Sequence, residues 1–498
     1  MATLTKAHVV KMMRILKNDR DTILLRLDCY NRGIQDDPWM PDNADAEYRL
    51  LAERSKTNIV PFLISTPAQA LYIDQFRRGV ESRETATSDD LSASQPEWDH
   101  WEYSNLGSRQ HAIYRGALNF GHAFSLTEFE KRGKKRLKTR GLSPLRTSAL
   151  FEDPANDIVP LHSFTVTKWP SSTADGKPVP GKGTAWDETN EYEVTFKELG
   201  DHTGVTVKKV RAHGATENPV TRFSCYVDLE GRTTGVVEPL LDLQNRLNQT
   251  IFDLLVVQSY AAFKVRTVTG MAPPVKMVPT YEDGEIVGWE PMIDEDTGKM
   301  VPDEQNINAR RWMWAEDPDV KFGSLDETPL DGFIAAIDLA FRHIAALGQV
   351  PPHHLLGQIA NLSAEALVAA ETALQRKVEE FKSSFGESWE RVFRLAMEML
   401  GEDGAEDFNG EVIWRDMEQR SLAQAGDALG KLREQLGIPA RGLWPRVPGA
   451  TASEIRQWEQ LADEEEPSTV LARSLQSANT NGATQFRQPP AAAEDVPA

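Results

Sequence analysis

Cysteine is nearly absent from this chain. Its two cysteines, Cys29 and Cys225, stand far apart and neither has a CxxC partner, which excludes a disulfide framework and a cysteine-based zinc site. Long apolar runs are missing too: none approaches the roughly 18 residues that cross a bilayer, so a membrane-spanning chain is excluded. The start, MATLTKAHVVKMMRILKNDRDTILLRLDCY, has neither the uninterrupted apolar segment nor the small-residue cleavage site of a secretory signal, and a cytoplasmic chain is expected. Basic residues are outnumbered, 55 Lys and Arg against 75 Asp and Glu, for a net charge of -20. That excludes a protein that grips nucleic acid by broad phosphate neutralisation, though not one that surrounds DNA without holding it.

What is present reads as a large soluble molecule. At 498 residues, with 40% hydrophobic and 26% charged residues, the chain is too long for one core and should form several lobes. Residues 1 to about 85 carry loosely helical apolar spacing. From about 122 to 230, strand-like pieces such as HSFTVTKW, EYEVTFKEL and TRFSCYVDL alternate with Gly, Pro, Ser and Asn, which predicts an antiparallel β region. The one strongly basic run, KRGKKRLKTR at 131–140, has no interleaved aromatics to stack on bases and reads as a solvated hairpin tip.

After GRTTG the texture changes. Leu240, Leu243, Leu247, Ile251, Leu254 and Leu255 predict a helix over about 236–263, with Pro239 near its start. A compact β insert follows over about 264–325. In TPLD, Thr328 is a candidate cap, Pro329 fills the first turn, and Asp331 faces the positive end of the dipole. Leu330, Phe333, Ile334, Ile337, Phe341, Ile344 and Leu347 give one apolar face over 329–347, stopped by Gly348 and then Pro351 and Pro352. Beyond the stretch HLLGQIANLSAEAL, Ser363 is a candidate cap for a helix to Leu400 that would be about 55 Å long at about 1.5 Å per residue, with Gly386 its expected bend. Residues 411 to about 463 read as helical, and the polar, Ala- and Pro-rich tail past Pro467 reads as disordered.

Three tempting motifs fail on their chemistry. GKPVPGKGT, Gly176 to Thr184, has phosphate-loop spacing ending at Lys182, but Gly183 stands where magnesium needs a hydroxyl and no helix follows. Asp294 and Asp296 in PMIDEDTGK resemble a phosphatase nucleophile pair without its supporting α/β context, and Gln305 occupies the position where a calcium loop needs glutamate. His353 and His354, being adjacent, are not spaced to converge on a metal as an i, i+4 pair is, and read as exposed loop residues. No catalytic residue, cofactor or metal is expected. The rival to a structural reading is a phosphatase or nucleotide hydrolase built on Asp294 and Asp296 or on the Gly176–Lys182 loop, and a third is a pore-free capsid adaptor.

The order helix, β insert, helix, loop, very long helix, with P-x-x-x-L-G-x-x-x-N-x-S-A-E-A-L from Pro352 to Leu367, resembles the portal proteins of tailed bacteriophages. The likeness is strongest over about 235–401 and extends upstream to SKTNIVPFLISTPAQALYIDQFR and ALNFGHAFSL. It implies an α+β, multi-domain portal fold. The wing would occupy 1–235, an α-rich start followed by the β region. Stem helices at 236–263 and 326–348 would flank a small α/β clip at 264–325, followed by a tunnel loop at 349–362. A long kinked wing helix at 363–401, a helical crown at 402–466 and a disordered tail at 467–498 complete the expected order.

The resemblance also implies a homo-oligomeric ring, usually a dodecamer, at one capsid vertex of the virion, assembled in the host cytoplasm. Its expected partners are double-stranded DNA passing through the channel, a terminase, a head-tail adaptor, and the major capsid and scaffolding proteins, with no membrane. An acidic bore would repel phosphate and let DNA slide. On this reading His353, His354, Gln358 and Asn361 face DNA, while Gly348 and Gly357 hinge the loop.

Overall fold

The computed structural model describes residues 3–42, 44–79, 96–130, 136–173, 175–261, 266–269, 275–282, 285–294, 298–301, 321–324, 329–357, 364–415, 422–447, 450 and 452–465. Helices and antiparallel sheets are segregated along the chain, an α+β arrangement in two compact units: 1–35, 58–244 and 341–498 in the first, 36–57 and 245–340 in the second.

In the first unit the helix Lys6–Asp19 starts at Thr5, whose Oγ1 accepts from the His8 N–H at 3.3 Å while His8 Nδ1 accepts from the Thr5 N–H at 3.4 Å. Its apolar face, Val9, Val10, Met12, Met13 and Leu16, packs with Phe164, Val166, Ala185, Val194 and Phe196 in one core. Those partners belong to a five-stranded antiparallel sheet in the order Thr206–Ala212, Asn190–Phe196, Gly181–Trp186, His162–Lys168, Thr147–Leu150. Period-two alternation on these strands turns one face to the helix, which is why the β region is legible in the sequence.

The second core of this unit forms around the helix Ala364–Leu400, 37 residues long. Phe381, Phe385, Trp389, Val392 and Phe393 are at most 1% exposed and meet Trp101, Tyr114 and Phe223. Trp389 donates its Nε1–H to the Tyr114 hydroxyl at 2.9 Å, so the indole is satisfied as well as buried. Ser384 and Ser388 donate to the carbonyls of Ser224 and Arg222, both at 2.8 Å, hooking the helix to the strand Val220–Ser224. That strand leads a three-stranded sheet with His122–Phe129 and Leu137–Leu142. The last two pair as a hairpin, with Arg140 on Glu128 at 2.9 Å; 131–135, between them, lie outside the described residues.

Two sequence expectations are corrected here. Ile73–Arg77 is a strand, not helix, and it pairs antiparallel with Glu411–Trp414, which was also expected to be helical. Each is too short to announce itself; the partner is far away in the chain, and only the pairing makes either a strand. Gly386, the expected bend, lies within the helix Ala364–Leu400. A Cβ there would meet Val412 Cγ2 at 3.4 Å and Trp414 Nε1 at 3.8 Å, so the glycine leaves room for this strand.

In the second unit, Ala46–Ser55 is helical, Trp39 N–H donates to Gln249 Oε1 at 2.6 Å, and Thr57 N–H to Asn248 Oδ1 at 3.1 Å. Met277–Glu282 and Glu285–Pro291 form one two-stranded sheet, Arg266–Thr269 and Lys321–Ser324 another. The helices Leu241–Ala261 and Asp331–Gly348 each span the division between the units. The second starts two residues later than expected and takes Gly348 into its last turn. Thr328 lies outside the described residues, as do 466–498. No described helix is long and apolar enough to cross a membrane.

Candidate functional site: the turn before the long helix

The chain leaves Asp331–Gly348 through a tight reversal. Gln349 takes the left-handed conformation (φ 51°), its N–H reaching the Ala346 carbonyl at 3.3 Å, while Val350, 3% exposed, donates to the Ala345 carbonyl at 3.0 Å. The left-handed residue at this reversal is Gln349, next to the expected hinge Gly348. Gly348 instead sits where a Cβ would meet Leu240 and Leu63 methyls, both at 3.4 Å.

The Gly348 carbonyl is one of the orphan acceptors of the helix C-terminus, and Lys377 Nζ donates to it at 2.8 Å. Lys377 is only 5% exposed and comes from the long helix, so this bond ties the end of one helix to the flank of the next. Burial lowers the Lys377 pKa, opposed by the neighbouring Cys225 and Glu380; burial raises that of the Cys225 thiol. Sequence reasoning missed this residue. The signal was there: Lys377 lies in the stripe Leu374, Val378, Phe381, and a lysine on a core-facing stripe needs a partner.

The expected open loop contains a short helix, Pro352–Leu356, with Pro352 at its first position and Gly357 closing it at φ 64°, ψ 11°. The Gly357 N–H donates to the His353 carbonyl at 3.0 Å. Here a second expectation fails. His353 and His354 do converge: their rings lie 4.4 Å apart at 73°, and both Nε2 atoms approach the same Glu371 oxygen, at 3.5 and 3.3 Å. The exposed reading holds for His354 and fails for His353, which is half-buried, its side chain keeping 8% of its accessible surface. The reason is the acceptor on the long helix, which no local spacing rule sees. Gln358, Asn361 and Ser363 lie outside the described residues.

The near-motifs resolve differently. Gly176 lies in a turn at φ 74°, but Lys182 and Gly183 are within the strand Gly181–Trp186, where Phe164 leaves no room for a side chain at Gly183. Asp294 is in a turn, its N–H reaching the Lys299 carbonyl at 2.9 Å; Asp296 and Gln305 are outside the described residues. A cleft of about 610 Å³ elsewhere is lined by Arg391, Arg394, Glu217 and Glu398 among others, and none of the described residues lining it is a His, Ser or Cys. Arg391 already pairs with Glu217.

Comparison with known proteins bears on the whole chain. A family model described as "Phage portal protein, SPP1 Gp6-like" matches residues 3–468. The portal protein of Mycobacterium phage D29 is 31% identical over 190 residues, 36% of this chain and 37% of the relative. That of Mycobacterium phage L5 is 32% identical over 143 residues, 28% and 29% respectively. These matches thus span about a third of each curated relative. A solved chain titled "Neck of native GTA particle computed with C12 symmetry" superposes with a TM-score of 0.40 at 14% identity, over 84% of this chain and 95% of that one, too weak a likeness to carry an argument.

Proposed function

The chain belongs to the SPP1 Gp6-like family of phage portal proteins, and from that premise we propose that it forms a homo-oligomeric ring at one capsid vertex through which double-stranded DNA is packaged and ejected. Its family is structural, and the proposed work is conduction and docking, with no bond made or broken. The observation that carries the reading is the family match over 3–468, together with two amphipathic helices that frame β-strands and a tight turn into a 37-residue helix.

The helices Leu241–Ala261 and Asp331–Gly348 would be the stem, the strands between them part of the clip, 349–362 the tunnel loop, and the helices Leu422–Leu436 and Ala452–Glu465 part of the crown. Exposed apolar side chains support self-association: on the second stem helix Ile334 is 53%, Leu339 50% and Leu347 68% exposed. Trp289, Tyr281 and Ile293, also exposed, suit the clip to docking a terminase or head-tail adaptor. The net charge of -20 suits a bore that DNA slides through.

Imaging of the purified full chain tests this. Closed rings with a central hole are expected, because a conduit needs a heterologous interface whose rotation closes. Monomers and two-fold dimers alone, at several salt concentrations and with scaffolding protein added, would overturn it.

A further inference from the structure

We infer that His353, His354 and Glu371 are the ligands of a divalent transition-metal site, suited to Zn2+, that pins the short helix Pro352–Leu356 to the long helix. The inference stands on these side chains and holds whether or not the chain forms a conduit.

The ligand atoms of the three residues all lie within 4.8 Å of one another. Tetrahedral zinc with bonds of about 2.1 Å separates its ligands by about 3.4 Å. The two contacts to Glu371, 3.5 and 3.3 Å, already have that spacing, and side-chain rotation closes the remaining edge. Two imidazole nitrogens and one carboxylate oxygen are the donor set of a three-ligand zinc site, which leaves a fourth position for water. The same set disfavours Ca2+ and Mg2+, which need more oxygens.

The placement is also that of a site. His353 and His354 lie on the short helix begun by Pro352, and both imidazoles reach Glu371 on the long helix. Glu371 is fixed on a long helix that is itself anchored by Lys377 and by Ser384 and Ser388. Ligands from two separate elements, one of them rigid, are held near their bound positions before the ion arrives. Bound metal would cross-link His354 to Glu371 and so hold the short helix against the long one.

The test is a zinc titration of the purified full chain against a chromophoric chelator, beside Glu371→Gln, His354→Ala and the exposed-site control His202→Ala. Wild type and the control should bind one Zn2+ per chain, and the two ligand variants should bind at least about tenfold more weakly. Co2+ in place of Zn2+ should give ligand-field absorption in wild type that Glu371→Gln loses, with unchanged far-ultraviolet circular dichroism showing that the variant is folded. Equal affinity of wild type and both ligand variants would overturn the proposal, as would no uptake by wild type at about 10 μM free zinc. A His–Glu ion pair without metal affinity is that second outcome.

Discussion

Replacing Gly357 by valine is the sharpest perturbation of the turn. At φ 64° and ψ 11° this residue occupies the left-handed region, and a Cβ built on it finds no heavy atom of the described residues within 4 Å. The penalty read from the backbone is conformational: about 1–2 kcal/mol for an L-residue, highest for a β-branched one. Alanine should cost about 1 kcal/mol and asparagine, which tolerates this region, less. A penalty of about 1.4 kcal/mol lowers the population of the turn tenfold in any subunit where it competes with other conformations.

The assay is packaged DNA per capsid for Gly357→Val, Gly357→Ala and Gly357→Asn, with imaging to confirm rings and Glu379→Gln as an exposed control. Packaging should fall in the order Asn, Ala, Val, while the urea midpoint of each variant stays close to that of wild type because the turn is local. Normal packaging by the valine variant would refute the reasoning. So would equal defects in all three, which would point to a requirement for glycine unrelated to φ.

Three further outcomes follow from the core and the helix join. Trp389→Ala removes a fully buried indole and should destabilise the first unit by about 3–5 kcal/mol in urea unfolding. Lys377→Met removes the charge-assisted bond to the Gly348 carbonyl, worth about 1.5–3 kcal/mol before the relief of burying an ammonium is subtracted. Because burial lowers the Lys377 pKa below the usual 10.5, the native state sheds this proton before the unfolded state does. Wild-type stability relative to Lys377→Met should therefore rise as pH is raised toward 10.5, and a flat or falling difference in denaturant titrations would contradict it. His100 and His122 are both lowered to about 4 by burial, His122 further by Arg222. Their neutral forms contribute fully above pH 6.5, and the contribution is lost toward pH 4, up to about 3 kcal/mol each; His122→Asn should show a smaller acid-side loss than wild type.

Much of this molecule is legible in one dimension because its signals are periodic. The alternation in HSFTVTKW and EYEVTFKEL, the three-and-four spacing from Leu374 to Trp389, and the Pro-bounded end of Asp331–Gly348 each follow from a local rule, and the helices and strands stand where those rules put them. The family resemblance rests on the same order of elements, so it too could be read before any coordinate. The sequence did not yield the site in the same way. Gly357 was readable as a residue that needs a left-handed backbone, since glycine before a polar loop has few other uses.

What only the tertiary structure decided is which distant residues meet. Ile73–Arg77 and Glu411–Trp414 are strands because they found each other, and neither has the length or alternation to be a strand alone. Gly386 accommodates Val412 and Trp414, a contact with no trace in the helical spacing around it. His353 and His354 are neighbours that a helix would point apart, yet they share one carboxylate because Glu371, on another element, sits where both imidazoles reach. Chain spacing determines periodicity, and periodicity determines elements. Convergence of side chains from two elements depends on how those elements pack, a property of the folded chain that the sequence carries only collectively.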